Sequence, residues 1–135
     1  MAELKPFGDA LATSKYLRLV TYRRNGSPVA TPIWFVLDAP DLLAWTGART
    51  GKVRRIRANP QARMATCTFR GRATSTERTA TVQLLDPATH GDHVEQLLLR
   101  KYGWQKRLVD TLNAVSRRIR RRPPVPAAYL RITLD

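Results

Sequence analysis

The sequence predicts a mainly β fold with peripheral α-helices: a small, six-stranded antiparallel barrel with helices at its rim. Three observations predict it. Six short segments carry strand-like patterning, hairpin-type turns join most of them, and two amphipathic helical stretches are gathered ahead of the last strand. The 135 residues allow one domain, 1–135, with the helical segment, about 88–122, inserted before the last strand. A chain of this length buries roughly two-thirds of its unfolded surface, enough for a core without disulfides. The lone Cys67 can make no bridge within the chain.

Tyr16 to Arg23 reads as the first strand, and Asn25-Gly26 supplies the positive-φ residues of a tight turn. Pro28 to Leu37 follows as a single strand that is apolar on both alternating sets. Val29, Ile33, Phe35 and Leu37 lie on one, Ala30, Pro32, Trp34 and Val36 on the other. A strand without a polar face is covered on both sides, so a partner subunit, a helix or a ligand is expected opposite the core. Asp38 to Asp41 turns the chain into a third strand, Leu42 to Thr46. Gly47 to Gly51 breaks the pattern, and Lys52 to Asn59 reads as a short helix stopped by Pro60.

Ala62 to Arg70 alternates, with Ala65, Cys67 and Phe69 on one side and Met64, Thr66 and Thr68 on the other. Arg78 to Leu85 repeats the pattern through Ala80, Val82 and Leu84. Asp86-Pro87 opens a helix that carries Val94, Leu97, Leu98 and Tyr102 at helical spacing. A second helix runs from Trp104 to about Arg121, with Leu108, Val109, Leu112, Val115 and Ile119 in one stripe, and Pro123, Pro124 and Pro126 end it. Ala127 to Leu134 is the last strand, with Leu130, Ile132 and Leu134 facing one way.

Charge separates the chain into regions. The formal net charge is +14, and two segments hold most of the cations. Arg49 to Arg72 contains eight basic residues and no acid; Arg100 to Arg122 contains nine, against Asp110 alone. Such an excess attracts phosphates, carboxylates or anionic membranes. No nucleic-acid motif is present and the aromatics are not interleaved with the arginines, so no nucleic-acid partner is expected. Ser116 to Arg122, following an amphipathic stripe, could touch an anionic membrane surface, although a solvated helix end is the commoner role for such a run. The start of the chain has no signal-peptide core, and the longest uncharged apolar run, Ser27 to Leu37, falls short of the about 18 residues of a membrane span. A cytoplasmic address is the expectation.

The strand–loop–helix corner from Trp45 to Pro60 is the most informative stretch. A phosphate at a helix start would meet unpaired backbone N–H groups, the Thr46 and Thr50 hydroxyls and Lys52, although a generic basic helix start has the same appearance. The glycine-to-lysine spacing is not that of a Walker loop. His90 and His93 have no further Cys or His to complete a metal site and read as surface histidines, with Asp92 and Glu95 as helix-dipole partners. Neither a nucleophilic triad nor a carboxylate pair is evident, so in an enzyme a cofactor would carry the chemistry.

These residues resemble a known family. Tyr16 to Phe35 (YLRLVTYRRNGSPVATPIWF), Trp45-Thr46-Gly47, Thr50-Gly51-Lys52-Val53-Arg54, Asn59-Pro60 and Lys101-Tyr102-Gly103-Trp104 together are similar to the pyridoxamine-phosphate-oxidase-like split-barrel superfamily. Within it they most resemble the coenzyme F420-dependent oxidoreductases common in actinobacteria. The resemblance implies a six-stranded split barrel of the FMN-binding type and a homodimer with cofactors at the subunit interface. By the same resemblance Thr31, Pro32, Ile33 and Trp34 border the cofactor ring, Trp45, Thr46 and Gly47 follow it, and Thr50, Gly51 and Lys52 hold its phosphate. The implied activity is hydride transfer between coenzyme F420, or alternatively FMN, and a small electrophilic substrate. Solvent, Tyr22 or Tyr129 would supply the proton. A non-enzymatic basic adaptor or peripheral membrane protein is the competing class.

Overall fold

A computed structural model describes residues 4–120 and 127–135. In chain order the elements are α1 (Phe7–Leu11), β1 (Tyr16–Tyr22), β2 (Pro28–Ile33), β3 (Phe35–Asp38), β4 (Asp41–Gly47), α2 (Gly51–Ala58), β5 (Gln61–Cys67), β6 (Arg78–Leu85), α3 (Pro87–Tyr102), α4 (Trp104–Arg120) and β7 (Ala127–Leu134). The strands form one antiparallel sheet in the order β2-β1-β5-β6-β7-β4-β3. One core takes side chains from every strand, including Leu17, Ile33, Phe35, Leu42, Met64, Val82 and Leu130, so the sheet wraps around it. It does not close, because its edges β2 and β3 are not hydrogen-bonded to each other. The mainly β split barrel expected from the sequence is the fold found. It has seven strands, where the sequence reading gave six.

The extra strand arises at Trp34. The run Pro28 to Leu37, read as one strand, is cut there. Ile33 pairs with Leu17 of β1, whereas Phe35 pairs with Ala44 of β4. Tyr102, at the end of α3, holds the cut open. Its ring stacks on Trp34 with centroids 4.3 Å apart and planes 9° apart. Its hydroxyl accepts the Phe35 N–H at 3.0 Å, with the carbonyls of Lys15 at 2.6 Å and Phe35 at 3.0 Å as its own acceptors. Backbone groups that a continuous ladder would have paired are thus satisfied by the Tyr102 hydroxyl, with the Lys101 ammonium also donating to the Phe35 carbonyl. The double cover expected for this run is only half present in the single chain. Ile33 is buried in the core, but Pro28, Ala30 and Pro32 are exposed.

On the outer side of β3, β4, β6 and β7, a second cluster buries Val36, Leu43, Leu85 and Tyr129 beneath Val94, Leu98 and Tyr102 of α3. Asp86 caps that helix, its carboxylate accepting from the Ala88 N–H at 3.0 Å, with Pro87 as the first helical residue. α1, which the sequence reading did not include, packs Phe7 against the core. Its five residues are too short to display a period. β5 ends at Cys67, and Phe69, read as part of that strand, is 64% exposed. Of the α4 stripe read from the sequence, Leu108, Leu112, Val115 and Ile119 are exposed, whereas Val109 is partly buried. Arg121, Arg122 and the prolines Pro123, Pro124 and Pro126 lie outside the described residues. Among those described, no helix is long and apolar enough to cross a membrane.

Replacing Tyr102 by Phe keeps the ring stack but leaves the buried Phe35 N–H and the Lys15 carbonyl without the hydroxyl. An orphaned buried donor costs about 1–3 kcal/mol, so the urea midpoint of Tyr102→Phe should fall correspondingly at an unchanged denaturant slope. An unchanged midpoint would show that the hydroxyl does not hold the cut.

Candidate functional site

The cut between β2 and β3 borders a cavity of about 210 Å³. Pro32, Ile33 and Trp34 line it from the end of β2, Trp45 and Thr46 from β4, Lys52 from the first turn of α2 and Val109 from α4. Trp34 and Trp45 meet edge to face, 6.5 Å between centroids at 76°. Two indoles at right angles make one corner of a slot that suits a flat, partly apolar ring. The Trp45 Nε1–H and the Thr31 hydroxyl are buried and have no hydrogen-bond partner among the described residues. A buried donor without a partner carries a cost, and a ligand with an acceptor beside the cavity-lining Trp45 N–H would remove it.

The α2 end of the cavity is cationic. Thr50 precedes the helix, but its hydroxyl turns back to the Gly47 carbonyl at 2.9 Å and makes no side-chain cap. The first N–H groups of α2 therefore have no side-chain acceptor from it. Lys52 is half-buried, and burial and the neighbouring Arg55 hold its pKa below the ordinary lysine value. No carboxylate pairs with it among the described residues. Of Arg54, Arg55 and Arg57, only Arg55 turns inward. Its Nε donates to the Thr21 hydroxyl at 2.7 Å, while Arg54 and Arg57 are exposed. Gly51 makes room for it, since a Cβ there would stand 2.6 Å from the Arg55 guanidinium. Burial and the nearby Arg23 and Arg54 lower the Arg55 pKa too. Two partly desolvated cations and an uncapped helix start form a corner with unmet demand for an anion.

Six of the ten expected site residues line this cavity: Pro32, Ile33, Trp34, Trp45, Thr46 and Lys52. Thr31, Gly47 and Gly51 adjoin lining residues in the chain and Thr50 is two residues from Lys52, but none of the four lines the cavity. A larger hollow, about 660 Å³, runs between α1 and β5 past Ser14, Lys15, Cys67 and Arg72, away from both indoles. Cys67 is buried, which pushes its thiol up to about 11 and keeps it protonated.

Behind the Trp45 wall lies a cluster that the sequence reading missed. Lys106 of α4 is buried, with its ammonium 2.7 Å from Glu95 and 2.7 Å from Asp110, and 5.4 Å from the centre of the Trp45 ring. Burial alone would lower its pKa, but the hydrogen bonds and charges of Asp110 and Glu95 outweigh that and raise it. Tyr129, opposite Trp45 across the β4–β7 pair, donates to Glu95 at 3.0 Å. Glu95 is thus an ion-pair and hydrogen-bond partner rather than a dipole charge, because α4 folds back and delivers Lys106 to it. The only sequence signal was the i,i+4 pairing of Lys106 with Asp110. Burial and Glu95 push Tyr129 up to about 12, and Tyr22 borders a different hollow, with Pro28 and Arg63. Neither expected proton donor lines the cavity. His93 lies 3.6 Å from Asp38, and neither it nor His90 lines the cavity.

A family model described as "Pyridoxamine 5'-phosphate oxidase" matches residues 5–122. No curated protein matches the sequence. Among solved structures, the heme storage protein HutZ from Vibrio cholerae is 12% identical, with a TM-score of 0.68 over 95% of this chain and 87% of that one. A FAD-binding protein from Mesorhizobium loti is 16% identical, with a TM-score of 0.58 over 95% of this chain and 84% of that one. An F420 reductase is 18% identical, with a TM-score of 0.59 over 98% of this chain and 96% of that one. At these identities the likeness is one of fold.

The lowered Lys52 pKa gives the site a pH signature. An anion beside the ammonium favours its charged form, so affinity for a phosphate-bearing ligand falls as pH rises through the depressed pKa. With FMN as the probe in a fluorescence titration, that decline should be present in the wild type and absent from Lys52→Met. Parallel pH profiles would remove Lys52 from the anion corner.

Proposed function

The chain belongs to the pyridoxamine 5'-phosphate oxidase family, and on that premise we propose a redox function, that of a coenzyme F420-dependent oxidoreductase acting on a small electrophilic substrate. One observation carries the reading. Lys52, half-buried and without a carboxylate partner among the described residues, shares a cavity with Trp34 and Trp45. A phosphate-ended, flat-ringed molecule matches both ends of that cavity. Pro32, Ile33, Trp34 and Trp45 border the ring, the Trp45 N–H offers it a donor, and Lys52, Arg55 and the start of α2 take the phosphate.

A reduced deazaflavin supplies, when bound, the hydride that the substrate accepts. The chain itself binds, orients and excludes water, because no carboxylate, histidine or thiol lines the cavity among the described residues. Neither Tyr129, whose hydroxyl donates to Glu95, nor Tyr22 lines the cavity, so in this reading the substrate proton is drawn from solvent. The acid-free stretch Arg49 to Arg72 favours F420 over FMN, since a tail of glutamates carries charges that FMN lacks. A haem in this cavity would find no imidazole, as neither histidine lines it.

The cavity is also small. Its 210 Å³ fall below the roughly 300–1,000 Å³ of ordinary small-molecule sites. The exposed face of β2, with Pro28, Ala30 and Pro32, adjoins it. In this reading a second copy of the chain covers that face and supplies the remaining wall, giving a homodimer.

Parallel titrations of purified protein with coenzyme F420 and FMN test the proposal. F420 should bind at micromolar levels or tighter. Lys52→Ala should weaken it about tenfold or more, the size of one lost charge-assisted contact, with the circular dichroism unchanged. Tighter FMN binding would move the assignment to a flavin, and binding of neither would end the redox reading.

A further inference from the structure

α4 presents a surface that the redox site does not use. Trp104, Leu108, Leu112, Val115 and Ile119 follow one another at steps of four, four, three and four residues, and so share one face of the helix. All five are exposed, from 49% at Leu108 and Val115 to 76% at Ile119. The helix is held to the chain elsewhere, through α3, the buried Lys106 and the cavity-lining Val109. An apolar helical face that no described residue covers marks a site of interaction.

Charge indicates the kind of cover. Arg107 and Arg118, eleven residues or about three turns apart, lie along one edge of the stripe. Both are exposed, and neither has an ion-pair partner among the described residues. The only acid on α4, Asp110, is spent on Lys106. The sequence adds further arginines at Arg117, Arg120, Arg121 and Arg122. An apolar stripe edged by cations, with a tryptophan at one end, has the chemistry of the boundary between lipid headgroups and acyl chains.

We propose that α4 docks this protein on an anionic lipid surface. The helix lies in the plane of the interface along its length of about 25 Å, with the five apolar side chains among the acyl chains and Arg107 and Arg118 at the headgroup phosphates. It does not cross, since no described helix is apolar enough to do so. Other occupants fit less well. A second copy of α4 offers these arginines no free acid, since Asp110 is held by Lys106. A nucleic acid takes the arginines but leaves the stripe in water.

Vesicle co-sedimentation of the full-length protein tests this. One vesicle population is equimolar phosphatidylcholine and phosphatidylglycerol, the other phosphatidylcholine alone. Wild type should sediment with the anionic vesicles and not with the neutral ones, and roughly half-molar salt should reduce its binding about tenfold. Leu112→Asp with Ile119→Asp, and separately Arg107→Glu with Arg118→Glu, should each weaken binding at least about tenfold. Both pairs are exposed, so the fold should survive, as circular dichroism would report. Sedimentation velocity should show the same oligomeric state for wild type and both variants. Absence of binding to anionic vesicles overturns the proposal, as does full binding by the Leu112/Ile119 variant. A fall in oligomeric state in that variant overturns it too, by placing a second copy on the stripe.

Discussion

The packing of Tyr102 against Trp34 and Phe35 is the contact on which the architecture turns. An uninterrupted strand from Pro28 to Leu37 would pair along a single neighbour, whereas the observed chain pairs first with β1 and then with β4. At the handover, backbone groups lose their ladder partners. The Tyr102 hydroxyl and the Lys101 ammonium, 2.8 Å from the Phe35 carbonyl, replace them. α3 therefore acts as a wedge whose last turn keeps the sheet split. The same turn fixes the Trp34 ring by stacking, so fold and cavity share one support.

Two lysines show how similar groups come to opposite uses. Lys106 is buried but held between Glu95 and Asp110, and its charge is spent on joining α4 to α3 beneath Trp45. Lys52 has no such partner among the described residues, and Arg55 adds a second cation beside it. In a chain with a net charge of +14, further concentrating cations opposes the compact state. The placing of Lys52 in the cavity lining, with Arg55 beside it, is what gives the anion-binding proposal its weight, more than the net charge does.

Much of the fold was legible because the strands alternate cleanly and the punctuation is strong. Asn25-Gly26 and Asp86-Pro87 mark the first hairpin and the start of α3, and Ala80, Val82, Leu130 and Ile132 point into the core as their spacing implies. The cut at Trp34 was not legible. No glycine or turn signal marks it, and its cause, Tyr102, lies 68 residues away. The corner at Lys52 could be located from its glycines and helix start. Which arginine faces inward depends on the room that Gly51 leaves for Arg55 one turn on, an i,i+4 relation present in the sequence. The Lys106–Glu95–Tyr129 cluster needs α4 to fold back on α3, which periodicity alone does not specify. The same limit applies to the α4 stripe, because an amphipathic pattern shows an apolar face without saying what covers it.

The central claim is that splitting the sheet at Trp34 creates the seat for a redox cofactor whose phosphate reaches Lys52. A crystal structure of the protein grown with coenzyme F420 tests it most directly. The account predicts density for the ring beside Trp34 and Trp45 and for the phosphate within hydrogen-bond distance of Lys52. Cofactor density in the α1–β5 hollow, with this corner filled by side chains instead, would contradict it.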